Sequence, residues 1–174
     1  EAEAIRTRFG IPPRLVFQDA QYSTPKVYDD CAKFGWTALH GAGQNRFAHY
    51  PRGSRKAVYK FYSPAKTANH NGTLVNYLHW ASDPVKDILD RLRKGEGVGW
   101  EIPDDCGDEY KEQLSGETKR ERINKQTGRP EWRWVKTGPN HMWDCEAMIV
   151  LFLLIMGLLQ EGPTQDDNEQ KPDQ

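Results

Sequence analysis

Apolar and polar positions alternate along the chain with two periods, about two and about 3.6 residues, and the switches between them predict its elements. Residues 1–9 (EAEAIRTRF) suit a short helix that Gly10, Pro12 and Pro13 stop. Arg14 to Gln18 is an apolar run rich in β-formers, bounded by proline before and Asp19 after. It predicts a buried strand whose end presents Asp19. Ser23 or Thr24 caps a helix with Pro25 in its first turn, Val27, Cys31 and Phe34 face inward, and Gly35 ends it. A second buried strand, WTALHG, follows. Strand, helix and strand in so short a span form a βαβ unit, which makes the two strands parallel.

Further on, strands are expected at 57–62 and 73–80, separated by a polar turn. Residues 83–94 predict a helix with Val85, Ile88, Leu89 and Leu92 on one apolar stripe. Residues 95–107 are loop-like and 108–114 a short helix. A hairpin has arms at 117–123 and 131–136 with its turn around Gly128, Arg129 and Pro130. Asn140 then caps a long apolar helix over 141–159, in which Trp143 and the run Met148 to Leu159 are assigned to the core. From Gly162 the tail lacks large apolar side chains and is expected to be disordered. On this reading, residues 1–160 form one domain and 161–174 a polar tail, and no repeat is visible.

Composition narrows the function classes. A chain of 174 residues with a mean hydropathy of -0.84 and 28% charged residues is a polar globular protein. Its formal net charge of -1 gives no global attraction to nucleic acid, so any basic surface must be local. Three widely spaced cysteines, Cys31, Cys106 and Cys145, read as reduced thiols without a disulfide framework. The apolar run Ala147 to Leu159 is too short to span a bilayer, and neither a signal peptide nor a targeting segment is recognisable. The chain begins Glu-Ala-Glu-Ala without an initiator methionine, which suggests processing, a fragment or an added segment.

Several motifs fail. The glycines at 41 and 43 follow a strand, but Arg46 stands where a dinucleotide fingerprint needs its third glycine. Gly95, Gly97 and Gly99 follow a helix, and no GxxxxGK[ST] loop occurs, so this segment does not encode ATP binding. The five histidines lack zinc-site spacing.

Two carboxylates stand out by position. Asp19 ends an apolar strand, and Asp144 lies in the first turn of an apolar helix. A carboxylate on an otherwise buried element needs a charge partner, hydrogen bonds or a cation. Structural roles also suit them: an Asx-turn for Asp19, and the helix dipole for Asp144.

The stretch RLVFQDAQYSTPKVYDDCAKFGWTALHGAG resembles the strand–Asp–helix–strand block in the nuclease domain of lambda-type phage large terminases. The later stretch, EYKEQLSGETKRERINK and EWRWVKTGPNHMWDCEAMIVLFLL, is similar to that family's hairpin and its Asn-x-x-x-Asp-Cys helix. The resemblance covers about residues 5–160. It implies an α/β, RNase H-like mixed sheet flanked by helices, with an added β-hairpin. It also implies a DNA endonuclease that cuts concatemeric viral DNA during packaging, using two Mg²⁺ or Mn²⁺ ions. Carried over, Asp19 and Asp144 are metal-binding catalytic carboxylates, and His141, three residues before Asp144, is a metal-proximal candidate, for which capping or packing at the helix start is the favoured alternative.

Double-stranded viral DNA, the small subunit and the portal or procapsid are the implied partners, and the host cytoplasm during virion assembly the implied location, with no membrane partner and no secretion. The sequence departs from the family at Gln18-Asp19-Ala20-Gln21, which keeps the acid, and at His40, where lysine is common. The family's first acidic strand would precede residue 1, so these 174 residues alone are expected to cleave weakly or not at all.

In the hairpin, Lys119, Arg120, Arg122, Lys125, Arg129, Arg133 and Lys136 outnumber Glu121 and Glu131 by five, with Trp132 and Trp134 interleaved. This suits contact with a phosphate backbone. It equally suits a solvated ribbon whose tryptophans cover the core. Two other functions compete with the nuclease: a non-catalytic DNA-gripping or motor-docking module, and another RNase H-like nuclease of the transposase or resolvase type.

Overall fold

A computed structural model describes residues 1–125 and 127–160, so the expected disorder from Gly162 lies outside the described residues. The chain divides at Pro84 and Val85 into two compact units.

The first unit is an α/β layer. Helix α1 (Ala2–Arg8) ends before Gly10, whose φ of 63° a side chain would resist. Strand β1 (Phe17–Asp19) is shorter than expected, because a 3-10 turn at Pro13–Leu15 takes up the start of the apolar run. It is also only half-buried, because it lies at the edge of the sheet. Helix α2 (Thr24–Phe34) ends at left-handed Gly35, and strand β2 (Thr37–Ala42) returns parallel to β1, as the βαβ reading predicts.

Strands β3 (Phe47–His49) and β4 (Val58–Lys60) form a small separate ribbon. Strands β5 (Lys66–His70) and β6 (Thr73–Ala81) form a hairpin that adds to β2. The sheet order is β1-β2-β6-β5, with β1, β2 and β6 parallel and β5 antiparallel. β5 replaces the expected polar turn. Its loop is Asn71-Gly72, with φ of 50° and 83°, the pair that a tight two-residue hairpin demands. Helix α2 packs on the sheet through Val27 and Cys31, which meet Ala20, Trp36, Ala38 and Val75 in a buried cluster.

Helix α3 (Ser82–Arg93) leads into the second unit and buries the predicted stripe of Val85, Ile88, Leu89 and Leu92. After α4 (Asp108–Gln113), strands β7 (Glu117–Ile123) and β8 (Pro130–Lys136) form the expected hairpin. Helix α5 (His141–Ile155) follows, shorter than expected because Gly157 turns left-handed. Trp143, Ala147, Val150, Leu151 and Leu154 are its buried face. Ile149, Met156 and Leu158 are exposed, so the assignment of the whole run from Met148 to Leu159 to the core is corrected. Its composition is apolar all round, and helical geometry turns only part of such a surface towards neighbours.

The protein is thus α/β, a mixed sheet accompanied by helices and a separate β-hairpin, compatible with an RNase H-like nuclease fold. Among the described residues no helix is long and apolar enough to cross a membrane.

Candidate active site

In the first unit, Asp19 sits at the carboxyl end of a parallel strand, beside the amino terminus of α2. Open α/β sheets place their ligand-binding groups at such strand ends. Its backbone neighbour Ala20 is fully buried and donates to the Leu39 carbonyl at 2.9 Å, which extends the pairing one residue past the strand. Thr24 Oγ1 donates back to the Ala20 carbonyl at 2.6 Å and closes the turn. The Asp19 side chain is exposed, and its Oδ1 accepts the Gln21 N–H at 3.1 Å. The Asx-turn anticipated from sequence is therefore present, on an exposed carboxylate. Gln21 Nε2 donates to the Gly41 carbonyl at 3.1 Å and ties the turn to the end of β2.

His40, on β2, does not present a free ring. Tyr28 Oη lies 3.1 Å from its Nε2, and His79 and Tyr77 on β6 pack around it. The neighbouring His79 is held below its usual range by burial first, then by His40 and Lys66.

The second unit holds Asp144 in a network that sequence reasoning missed. Lys86 on α3 is buried, and its Nζ lies 2.8 Å from both oxygens of Glu117 and 2.8 Å from Asp144 Oδ1. All three ammonium protons are thereby used. Asn140 Nδ2 donates to Glu117 Oε1 at 2.6 Å and to Asp144 Oδ2 at 2.9 Å. The expected side-chain cap of α5 by Asn140 is absent; its amide is spent joining the two acids. Glu117, the first residue of β7, has a side chain 6% exposed, whereas that of Asp144 is 37% exposed.

Two carboxylates and one ammonium leave this cluster with one uncompensated negative charge, and its open member is Asp144. Lys86 gave a faint signal in the sequence, a lysine lodged within the apolar stripe of α3. Glu117 gave none beyond its place in the family-like stretch 109–125.

His141 is exposed at the start of α5, and no contact joins it to Asp144 among the described side-chain hydrogen bonds. Glu146, two residues beyond Asp144, has a structural role: it accepts from Trp100 Nε1 and Tyr110 Oη, and burial followed by this carboxylate pushes the Tyr110 hydroxyl up. Asp19 and Asp144 belong to different units, and each is placed within its own. Among the described residues no group of three or more His, Cys, Asp or Glu side chains could hold a metal ion.

The ribbon separates the two tryptophans. Trp134 packs on Trp143 with ring centroids 5.2 Å apart and donates to Asp87 at 2.9 Å, so it belongs to the core reading. Trp132 is exposed. Of the seven cations, Lys119 pairs with Asp87 and Arg133 with Glu131. Among the described residues Arg120, Arg122, Lys125, Arg129 and Lys136 are exposed with no carboxylate partner. Arg120 lies directly across the ladder from Arg133, an arrangement that stability alone disfavours.

Comparison with known families gives a match over residues 5–162 to the model described as terminase large subunit gpA, endonuclease domain. Neither the curated proteins nor the solved structures give a match.

Proposed function

From the premise that the chain belongs to the terminase large-subunit endonuclease family, we propose that it cuts concatemeric viral DNA during packaging, as a metal-dependent endodeoxyribonuclease acting through Asp19 and Asp144. The observation that carries this reading is the Asp144 carboxylate, held by Lys86 and Asn140 yet open to solvent, in a cluster with net negative charge. Its oxygens each spend one lone pair on those partners and keep another.

Oxygen donors of this kind fit Mg²⁺ or Mn²⁺, and the cysteines do not. When bound, paired divalent cations stabilise charge on both the attacking and the leaving oxygen of a phosphodiester. This chain's own contribution is to fix the ligands. Gln21 and the Thr24 turn orient Asp19, while Lys86 and Asn140 hold Asp144 so that it does not reorganise when charge arrives.

The basic ribbon supports DNA as the partner; Lys119 and Arg133, already paired, contribute less than the five cations that have no carboxylate partner among the described residues. His141 is a nearby residue at the metal site in this reading. The small subunit, the portal or procapsid, and the host cytoplasm follow from the packaging role. That same ribbon also favours a second reading, a non-catalytic DNA-gripping module, and catalysis decides between them. The test is nicking of supercoiled plasmid with Mg²⁺ or Mn²⁺ by the protein expressed from its full open reading frame. Asp19→Asn and Asp144→Asn are expected to abolish nicking while circular dichroism is unchanged. Cleavage retained in both variants overturns the site. A wild-type protein that binds DNA but never nicks it establishes the gripping module instead.

A further inference from the structure

The β7–β8 ribbon has two faces of opposite character, fixed by its register. Glu117, Lys119, Glu121 and Ile123 share one face with Lys136, Trp134, Trp132 and Pro130, which lie directly across from them. The root of that face is core: Glu117 and Trp134 are engaged with α3 and α5. Its tip is open. Trp132 is 62% exposed, Ile123 is 63% exposed, and Pro130 beside Ile123 is exposed as well. Glu121 is the one acid of this outer half. The other face carries Arg120 and Arg122 with Arg133 and Glu131.

Trp132 is a large aromatic held away from the core, and on the ribbon's other face Arg120 and Arg122 of β7 are exposed with no carboxylate partner among the described residues, so neither feature does much to stabilise the folded chain. Two features identify what covers Trp132. The charge of the ribbon complements a polyanion, which also relieves the opposition of Arg120 and Arg133. The shape of the tip, an indole flanked by a branched aliphatic and a proline, is that of the apolar wedges that enter a base step and unstack it. We propose that the ribbon engages duplex DNA with both faces, the arginines on the phosphates and Trp132 with Ile123 as a wedge against the bases. This rests on the reading of the chain as a DNA-acting domain, and it adds a local distortion of the duplex to simple backbone contact.

The experiment uses the full chain, a 30-base-pair duplex carrying 2-aminopurine, and EDTA so that no cleavage intervenes. Wild-type protein brightens the 2-aminopurine on binding, and its affinity falls steeply with salt. Trp132→Ala removes the brightening and weakens binding about tenfold, the scale of one lost base–aromatic contact. It leaves the salt slope unchanged, and Trp132→Phe restores the brightening. The double variant Arg120→Ala, Arg122→Ala lowers the salt slope by about two while keeping the brightening at saturation.

Equal binding and brightening by wild type and Trp132→Ala overturn the wedge. So does an absence of duplex binding by the wild type. So does a Trp132-dependent self-association in sedimentation, with DNA binding indifferent to Trp132, which makes the tip a contact between copies. A protein that brightens the duplex through Trp132 yet never nicks plasmid overturns the nuclease reading and leaves the wedge standing.

Discussion

Replacing Lys86 by methionine, a side chain of similar length without the charge, is expected to be among the most damaging single changes in the second unit. The ammonium lies 2.8 Å from three carboxylate oxygens, and the side chains of Lys86 and Glu117 are 9% and 6% exposed. At an effective dielectric of about 20, a pair of unit charges some 3 Å apart interacts by roughly 5 kcal/mol. Burying the ammonium costs several kcal/mol, so the network as a whole contributes little net stability. Removing one partner is different. It strands the Glu117 carboxylate with only the Asn140 amide, at a cost of about 3–5 kcal/mol. For a chain of this size that corresponds to a fall in Tm of about 6–20 °C.

Urea and thermal unfolding at pH 7, followed by circular dichroism and tryptophan fluorescence, measure it. The companion variant Lys86→Met, Glu117→Leu removes both buried charges and is expected to recover most of the loss. Two results refute the reasoning. A single variant within about 1 kcal/mol of wild type means that the ammonium is not desolvated. A double variant as unstable as the single means that the cost is packing.

Two further predictions concern fixed points of the fold. A Cβ built on Gly116 falls 1.8 Å from the Pro139 carbonyl oxygen, and the Gly116 carbonyl accepts the N–H groups of Thr137 and Gly138. Gly116→Ala therefore forces the root of the hairpin away from the start of α5. It is expected to cost at least about 2 kcal/mol in the same unfolding assay and to loosen the Glu117–Asn140 contact. The cysteines are expected to differ in reactivity. Burial, and then Asp30, pushes the Cys31 thiol up to about 11, while Cys145 is exposed. Alkylation at pH 8 with mass-spectrometric readout is expected to label Cys145 in the native protein and Cys31 only after unfolding.

Local chemistry made much of the fold legible. The βαβ unit followed from the β-forming run before Asp19, the proline in the first turn of α2 and the glycine at its end, all of which act within a few residues. The hairpin at 117–136 and the stripe of α3 were readable for the same reason. Strand β5 was not, because Lys66–His70 is polar and gains its place only by pairing with β6. Its Asn71-Gly72 turn is a hairpin signal that the reading of a single polar turn passed over. The all-apolar composition of α5 from Ala147 onward hid which face is buried, since a helical stretch without a polar stripe carries no record of its orientation.

The candidate site divides in the same way. By itself, the sequence determined that Asp19 ends a strand and Asp144 starts an apolar helix, because strand ends, helix starts and apolar runs are properties of contiguous residues. It also determined the excess of basic residues on the hairpin. Only the tertiary structure decided that Asp144 shares a buried ammonium with Glu117 and an amide with Asn140, that Trp134 is core, and that Trp132 is not. Lys86, Glu117 and Asp144 are separated by 31 and 27 positions in the chain. The free energy that holds them together exists only once their three elements have packed and expelled water. Ionic interactions between distant residues depend on that local dielectric, and no periodicity in the chain encodes it.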